Sequence, residues 1–548
     1  MSEPVTPDSR TNENSPSVLQ TAAAKNATTV AAKAGVTAPP QVSAADSSSP
    51  AALQVSAADS DSPAAAQASA ADSDSPADSW ASASDSDSPA VAQASAADSD
   101  SPADSRARAV NPITEGIIWK QILFFFFPLL LSSFFQQLYN TVDALIVGRI
   151  AGKEALSAVG GSAGSVLGIF IMFYVGFSGG AAVLAAQLFG AKKDGALRDA
   201  VRTSLLISAV LGLTGTILCF GFAHPILSVM HTPDDILAPS LWYLRIVALG
   251  LIPNAVYNMG AAVLRAIGDS RRPLAILIFT CITNIALDFL FVAGLRMGAA
   301  GAAAATALCQ LLSAVLVLIV LQKTVFTRSS KTAAILAGRI LKLGLPLGFA
   351  EVMYTFANVV LMAVVNGFGT DTVAAYAAYG KIDALFWMVV GSFGISITTF
   401  VGQNIGAGRR DRVMQSIRDC TVMMFLVLGM VIAALYIFAY PLQQLFCADP
   451  NVVEIGGRMM RFLMPFYFLY IPIEIMFSAL RGMGDSVIPT IITFFGVCVL
   501  RSVWGLAVVP LHHTVNMVLL GFPVTWAVTT IAFAIYFSLY LRRQGPAI

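Results

Sequence analysis

Long apolar runs separated by short polar breaks fill the chain from residue 122 to residue 541. An α-helix needs about 20 apolar residues to cross a hydrocarbon core about 30 Å thick. The pattern therefore predicts twelve spans, at residues 122–148, 155–188, 199–224, 236–264, 273–295, 299–322, 335–368, 373–404, 413–446, 456–480, 487–510 and 514–541. Residues 1–108 carry no such run. There SAADSDSP and close variants recur, with Pro50, Pro63, Pro76, Pro89 and Pro102 at a constant interval of 13. Ala, Ser, Asp and Pro without bulky apolar side chains cannot offset ordering entropy, so this segment reads as a disordered acidic tail.

Charge orients the spans. Arg106, Arg108 and Lys120 precede span 1, and Lys192, Lys193 and Arg198 separate spans 2 and 3. Arg265, Arg271 and Arg272 follow span 4, and Lys323, Arg328 and Lys331 follow span 6. Arg409, Arg410 and Arg412 follow span 8, Arg481 follows span 10, and Arg542 and Arg543 follow span 12. The alternate loops hold Asp234, Asp235, Asp371, Asp449, His512 and His513 instead. By the positive-inside rule both termini face the cytoplasm, in a multi-pass protein of the inner or plasma membrane. The composition agrees: 56% of residues are hydrophobic and 12% charged, against about 25% charged in a soluble domain. The six cysteines form no CxxC pair and the four histidines lack zinc spacing, which argues against a disulfide scaffold or a metal centre. No cleavable signal peptide is visible at the N-terminus.

The spans repeat. Gln187-Leu-Phe-Gly-Ala aligns with Gln403-Asn-Ile-Gly-Ala, Leu264-Arg-Ala-Ile-Gly-Asp-Ser with Leu480-Arg-Gly-Met-Gly-Asp-Ser, and Pro273 with Pro489, each pair 216 positions apart. Six spans lie in each copy, so the copies share one membrane orientation. The fold class is an all-α polytopic membrane protein with two parallel-repeat six-helix lobes, 109–330 and 331–541, and a short C-terminal tail, 542–548. Such duplications suit lobes that rock about a central cavity, which a pore or receptor does not need. By itself LRxxGDS reads as a helix end, where Gly breaks the helix and Asp and Ser bond backbone amides.

Acids inside spans are costly, at about 2.5–3.5 kcal/mol each on insertion scales, and so point to function. Asp143, Asp288, Glu351 and Glu474 stand out, with Asp383 a fifth that Lys381 is placed to neutralise. Asn284 and Asp288 share one helix face, as do Ala302 and Thr306, and Gln136, Asn140 and Asp143 form a stripe on span 1. A pocket of carboxylates with amide and hydroxyl oxygens suits a hard cation such as Na+, or two confined carboxyls that carry a proton. Interhelical hydrogen bonding alone is the bland alternative.

The chain from about 113 to 541 resembles the multidrug and toxic compound extrusion (MATE) transporters, closest to bacterial DinF-like and MepA-like members. The resemblance rests on Leu138-Tyr-Asn-Thr-Val-Asp143 with Gly148, the two LRxxGDS copies, Asn284-Ile-Ala-Leu-Asp288, and Gly298-Ala-Ala-Gly-Ala-Ala-Ala-Ala-Thr306. It implies a V of two lobes and export of amphipathic, often cationic compounds against an inward flow of H+ or Na+. It implies a coupling site at Asp143, Asn284, Asp288 and Thr306, which would also hold Na+, with Ala302 as a backbone ligand. For the second lobe it implies Glu351, while Tyr470 stands where NorM-like relatives have an Asp and Glu474 lies one turn on. Gln136, Tyr139, Glu351, Tyr354, Tyr470 and Glu474 are the candidates for a substrate cavity or second coupling site. Phe349, Met353, Phe356, Phe466 and Tyr467 are further aromatic and Met candidates for the cavity wall.

A lipid or lipid-linked oligosaccharide flippase is the alternative within the same superfamily. HExxH and P-loop motifs are absent, which argues against an enzyme or an ATP-driven pump. The expected partners are a small organic substrate and the bilayer, without nucleic acid or cofactor, for a chain acting as a monomer.

Overall fold

The computed structural model describes residues 112–325 and 333–543, and the acidic repeat tail lies outside them. Among the described residues every regular element is helical. Eleven helices are long and apolar enough to cross a membrane, and a bent pair makes a twelfth crossing. They are Ile118–Gly160, Ser162–Gly190, Asp194–Val229, the pair Asp234–Leu249 and Leu251–Ala266, then Arg271–Gly294 and Gly298–Gln322. The second six are Ile335–Asn366, Thr370–Gly406, Arg410–Ile437, Pro450–Met483, Val487–Leu511 and Val515–Arg543. These are spans 1 to 12 below.

Two boundaries differ from the hydropathy reading. Residues 155–160 belong not to span 2 but to a short helix, Gly152–Gly160, that continues span 1 after a π-helical turn at Val147–Ala151. Its Ala155, Ala158 and Val159 are buried, so an apolar run that looked like the start of a crossing packs against its own lobe. Span 4 is not one rod. It bends by 46° at Gly250, three residues before Pro253, whose missing N–H removes a helical bond. The LRxxGDS segments do end helices: Gly268 and Gly484 sit at φ +94° and +100°, and Asp269 Oδ1 accepts from the backbone N–H of Arg271 and Arg272.

In a bilayer apolar burial supplies little net drive, so close packing and interhelical hydrogen bonds hold helices together. The first helix of each lobe begins against the opposite lobe and ends within its own. Ile118, Ile122, Phe126 and Leu129 of span 1 belong to the core of the second lobe, where Phe126 stacks on Phe393 at 4.2 Å. Leu336 and Ile340 of span 7 sit reciprocally in a core of the first. Arg412, in the first turn of span 9, ties down the approach to span 1 by donating through Nη2 to the carbonyls of Ile113 (3.2 Å) and Gly116 (2.6 Å). Arg412→Ala should therefore destabilise the fold by about 1.5–3 kcal/mol, the range for a hydrogen bond to a charged group. Thermal unfolding in detergent checks this, with Arg412→Lys expected to fall in between.

The two copies of the glutamine motif form a crossed seam at the base-rich end. Gln187 Nε2 of span 2 donates to the carbonyl of Gly482 at 3.0 Å, and Gln403 Nε2 of span 8 donates to that of Ala266 at 2.7 Å. Donors and acceptors are related by the same 216-position offset. Close approach is possible because Gly190 and Gly406 carry no Cβ: one at Gly190 would collide with the backbone of Gln403, and one at Gly406 with that of Gln187. Deeper in the membrane Gly180 meets the backbone of Gly344 in the same way. The motifs that revealed the repeat thus also close the lobes against each other.

Candidate functional site

The first lobe gathers two carboxyls with no base. Tyr139 and Asp143, one turn apart on span 1, face inward, while Gln136 and Asn140 of the expected stripe are exposed. Asn284 and Asp288 of span 5 are fully buried. Asp288 is the last α-helical residue before a π-helical turn at Phe289–Gly294, a distortion that recurs at functional sites. The Asp143 and Asp288 carboxyls lie close enough for one, when protonated, to donate to the other. The Tyr139 hydroxyl reaches Thr306 Oγ1 of span 6 at 3.5 Å, and Cys309 lies beside Asn284. Ala302, one turn before Thr306, is buried in the same lobe core as Tyr243, an electrostatic neighbour of both carboxyls.

The hydrogen-bond ledger of this pocket is open. Asp143 Oδ1, both carboxyl oxygens of Asp288 and both side-chain polar atoms of Asn284 are buried without a partner. Buried polar atoms are nearly always bonded, and each orphan costs about 1–3 kcal/mol. Among the described residues no Lys, Arg or His makes an ion pair with either acid. Two carboxyls buried side by side avoid two unpaired charges by holding a proton or a cation, and the oxygens that spans 1, 5 and 6 bring there suit either.

The second lobe is built otherwise. Glu351 of span 7 and Glu474 of span 10 are electrostatic neighbours of one another and of Arg481, the arginine of the second LRxxGDS. Glu474 Oε1 accepts from Ser478 Oγ at 2.8 Å and lies against Gly394, where a Cβ would collide with it. Tyr470 borders both glutamates, and Tyr354 lies one turn beyond Glu351. Arg481 thus stands near both glutamates without an ion pair to either among the described residues, whereas the first-lobe acids have no such basic neighbour. Asp383 is not neutralised by Lys381, which is exposed. Its carboxylate accepts instead from the hydroxyl of Tyr467 and from Trp387 Nε1 (2.7 Å). That bond takes Tyr467, only 1% exposed, out of the set of cavity-wall candidates. Phe349 packs edge-on against Phe173 of the other lobe, 5.4 Å between centroids.

Comparison with known proteins decides the family. The family model MatE matches residues 128–290 and 346–506, together more than half of the chain. The chain belongs to the MATE transporter family. It is 27% identical over 78% of its length to the probable multidrug resistance protein YoeA of Bacillus subtilis, covering 95% of that protein. It is 26% identical to the probable multidrug resistance protein NorM of Thermotoga maritima, over 70% of this chain and 84% of that one. A match to a FAD transporter of Shewanella oneidensis is 26% identical over 61% of this chain and 74% of that one. The fold superposes on an outward-facing multidrug resistance MATE family transporter with a TM-score of 0.73 at 22% identity, over 79% of this chain and 98% of that one. This MATE chain is accordingly a multi-pass membrane transporter and not an enzyme.

One charged residue escaped the sequence reading. Arg501, in the middle of span 11, is only 2% exposed. The signal was present, since a lone arginine inside an apolar run is as costly as a lone acid.

Proposed function

We propose that this MATE transporter exports amphipathic, cationic organic compounds from the cytoplasm across the plasma membrane in exchange for H+ or Na+. The carrying observation is the base-free pair Asp143 and Asp288 with its orphaned oxygens. Entry of a cation there satisfies Asp143, Asn284, Asp288 and Thr306, with the Ala302 carbonyl as a further ligand, and draws the first lobe together. Release to the cytoplasm restores the open ledger. The seam at Gln187 and Gln403 is the closed cytoplasmic gate of the outward-open state, and alternating access requires it to part. Glu351, Glu474, Tyr354 and Tyr470 line the path of the organic substrate in the second lobe. The multidrug names of the relatives support drug export and give the flippase alternative no support.

In proteoliposomes holding the full chain, ethidium is expected to move against its own gradient only when an opposing H+ or Na+ gradient is imposed. Unaltered uphill movement with both gradients collapsed would remove the exchange reading. Thr306→Val, which deletes one oxygen and keeps the volume, should slow the driven rate about fivefold to tenfold, the worth of about 1–1.5 kcal/mol.

A further inference from the structure

Arg245 stands on the outward stripe of span 4. Trp242, Arg245, Ile246 and Leu249 follow one another at i, i+3, i+4 and i+7, and Tyr243, Leu244, Val247 and Ala248 are buried behind them. Among the described residues Arg245 makes no ion pair, hydrogen bond or ring contact. Eleven residues separate it from Asp234, the first residue of the helix, or about 16 Å of rise. With the exposed Asp234 and Asp235 at the membrane edge, that carries its backbone below a headgroup layer about 5–8 Å deep. An arginine open to hydrocarbon is costly unless something pairs with it.

A groove of about 310 Å³ lies beside it, lined by Phe220 of span 3 and by Trp242, Arg245, Ile246 and Leu249. Arg245 alone of these is charged. Phe220, Trp242 and Leu249 are exposed, so the groove is open on its outer side. The volume is at the lower end for small-molecule sites, about 300–1,000 Å³, and gives room for part of a lipid. The groove ends at the bend of span 4: Leu249 precedes the bend, and Thr216 Oγ1, one turn from Phe220, donates to the carbonyl of Ala248 at 2.7 Å.

The repeat supplies a control. At the 216-position offset Phe220 matches Tyr436, Trp242 matches Arg458 and Arg245 matches Arg461. In the second lobe both arginines have partners. The Arg461 guanidinium carbon lies 5.7 Å from the ring centre of Tyr436 and 4.7 Å from that of Tyr440, and Arg458 pairs with Glu454 at 2.6 Å. Aromatic faces partly compensate a guanidinium. The first lobe has His224 in the register of Tyr440, and there the arginine borders a groove instead.

We propose that Arg245 and this groove bind an anionic phospholipid from the leaflet at the Asp234 end, with its phosphate on the guanidinium and an acyl chain along Phe220, Trp242 and Leu249. The long side chain reaches back toward the headgroups, and Trp242, one turn nearer to them, is the residue type that favours that layer. A guanidinium donates two parallel N–H groups to a phosphate. Phosphatidylglycerol presents that phosphate without the choline cation that offsets it in phosphatidylcholine. Tyr243, on the opposite face of the same helix, is an electrostatic neighbour of Asp143 and Asp288, so the lipid would lie one helix away from the cation site.

Trp242 is the reporter for the test. The full chain is placed in vesicles of equal parts phosphatidylglycerol and phosphatidylcholine, with bromines on the acyl chains of one lipid or of the other. Surface charge then stays fixed while the quenching lipid changes. The Trp242 signal is the difference between the unaltered protein and Trp242→Phe. Brominated phosphatidylglycerol should quench it as a lipid bound about fivefold more tightly than phosphatidylcholine, the preference expected of one basic residue for an anionic lipid. In Arg245→Gln the ratio should fall to about one, and in Arg245→Lys, which keeps charge without the fork, to an intermediate value. The ratio with Arg245 in place needs no change at that residue, so the test stands even if Arg245→Gln fails to fold. Equal quenching by the two lipids, or an unchanged ratio in folded Arg245→Gln, overturns the site. Quenching by neither lipid, the result for a groove covered by a second copy of the chain, overturns it as well.

Discussion

Asp143→Asn and Asp288→Asn should each reduce gradient-driven ethidium transport by more than about tenfold while leaving the protein folded. The expected size follows from the worth of a hydrogen bond or ligand contact to a charged group, about 1.5–3 kcal/mol. The amide keeps the volume of the carboxyl but can neither carry a proton nor neutralise a cation. Folding should survive because neither acid makes an ion pair that the change would break. Removing one of two buried like charges relieves strain rather than adding it. Glu474→Gln should be milder in coupling, since Glu474 already has Ser478 and Arg481 beside it. Transport rates at fixed gradients, paired with size-exclusion profiles, separate lost coupling from lost fold.

Gly190→Ala and Gly406→Ala should abolish transport by a different route. Each new Cβ would meet a backbone that cannot yield, that of Gln403 or of Gln187, and the crossed hydrogen bonds need the helices at their present distance. The lobes should then stay parted at the base-rich end. Ala186, 1% exposed beside this seam, reports the state. In a background without the six native cysteines, Ala186→Cys should resist a membrane-impermeant maleimide, and adding Gly190→Ala should make it react at least about tenfold faster. Slow labelling in both would show that the seam closes regardless of the glycines. Gln403→Ala removes one hydrogen bond without a clash, so its effect should be an intermediate one.

The number and order of the spans were legible because each crossing needs its own apolar run, and hydropathy reports that directly. The bend at Gly250 was not, because Pro253 lies inside an apolar stretch of adequate length and only packing decides whether the helix kinks. The short helix Gly152–Gly160 was missed for a related reason: Ala155, Ala158 and Val159 are apolar to pack within their lobe, not to cross a membrane. At the candidate site, spacing alone placed Asn284 and Asp288 on one face. It misassigned span 1, where Tyr139 and not Gln136 or Asn140 accompanies Asp143. The i, i+4 and i, i+7 stripes of one helix are neighbours, and sequence does not say which of them meets span 6. Gln187 and Gln403 were visible as a repeat, but a contact that crosses from one copy to the other is not a property of either copy.

The central claim is that a cation bound between Asp143 and Asp288 moves opposite to the organic substrate. Simultaneous recording of ethidium and of luminal pH or 22Na+ in the same proteoliposomes tests it most directly. The account predicts a counterflow of one of these cations that rises and falls with ethidium movement and disappears in Asp288→Asn. Ethidium crossing uphill with no cation counterflow, or a counterflow that survives intact in Asp288→Asn, would contradict it.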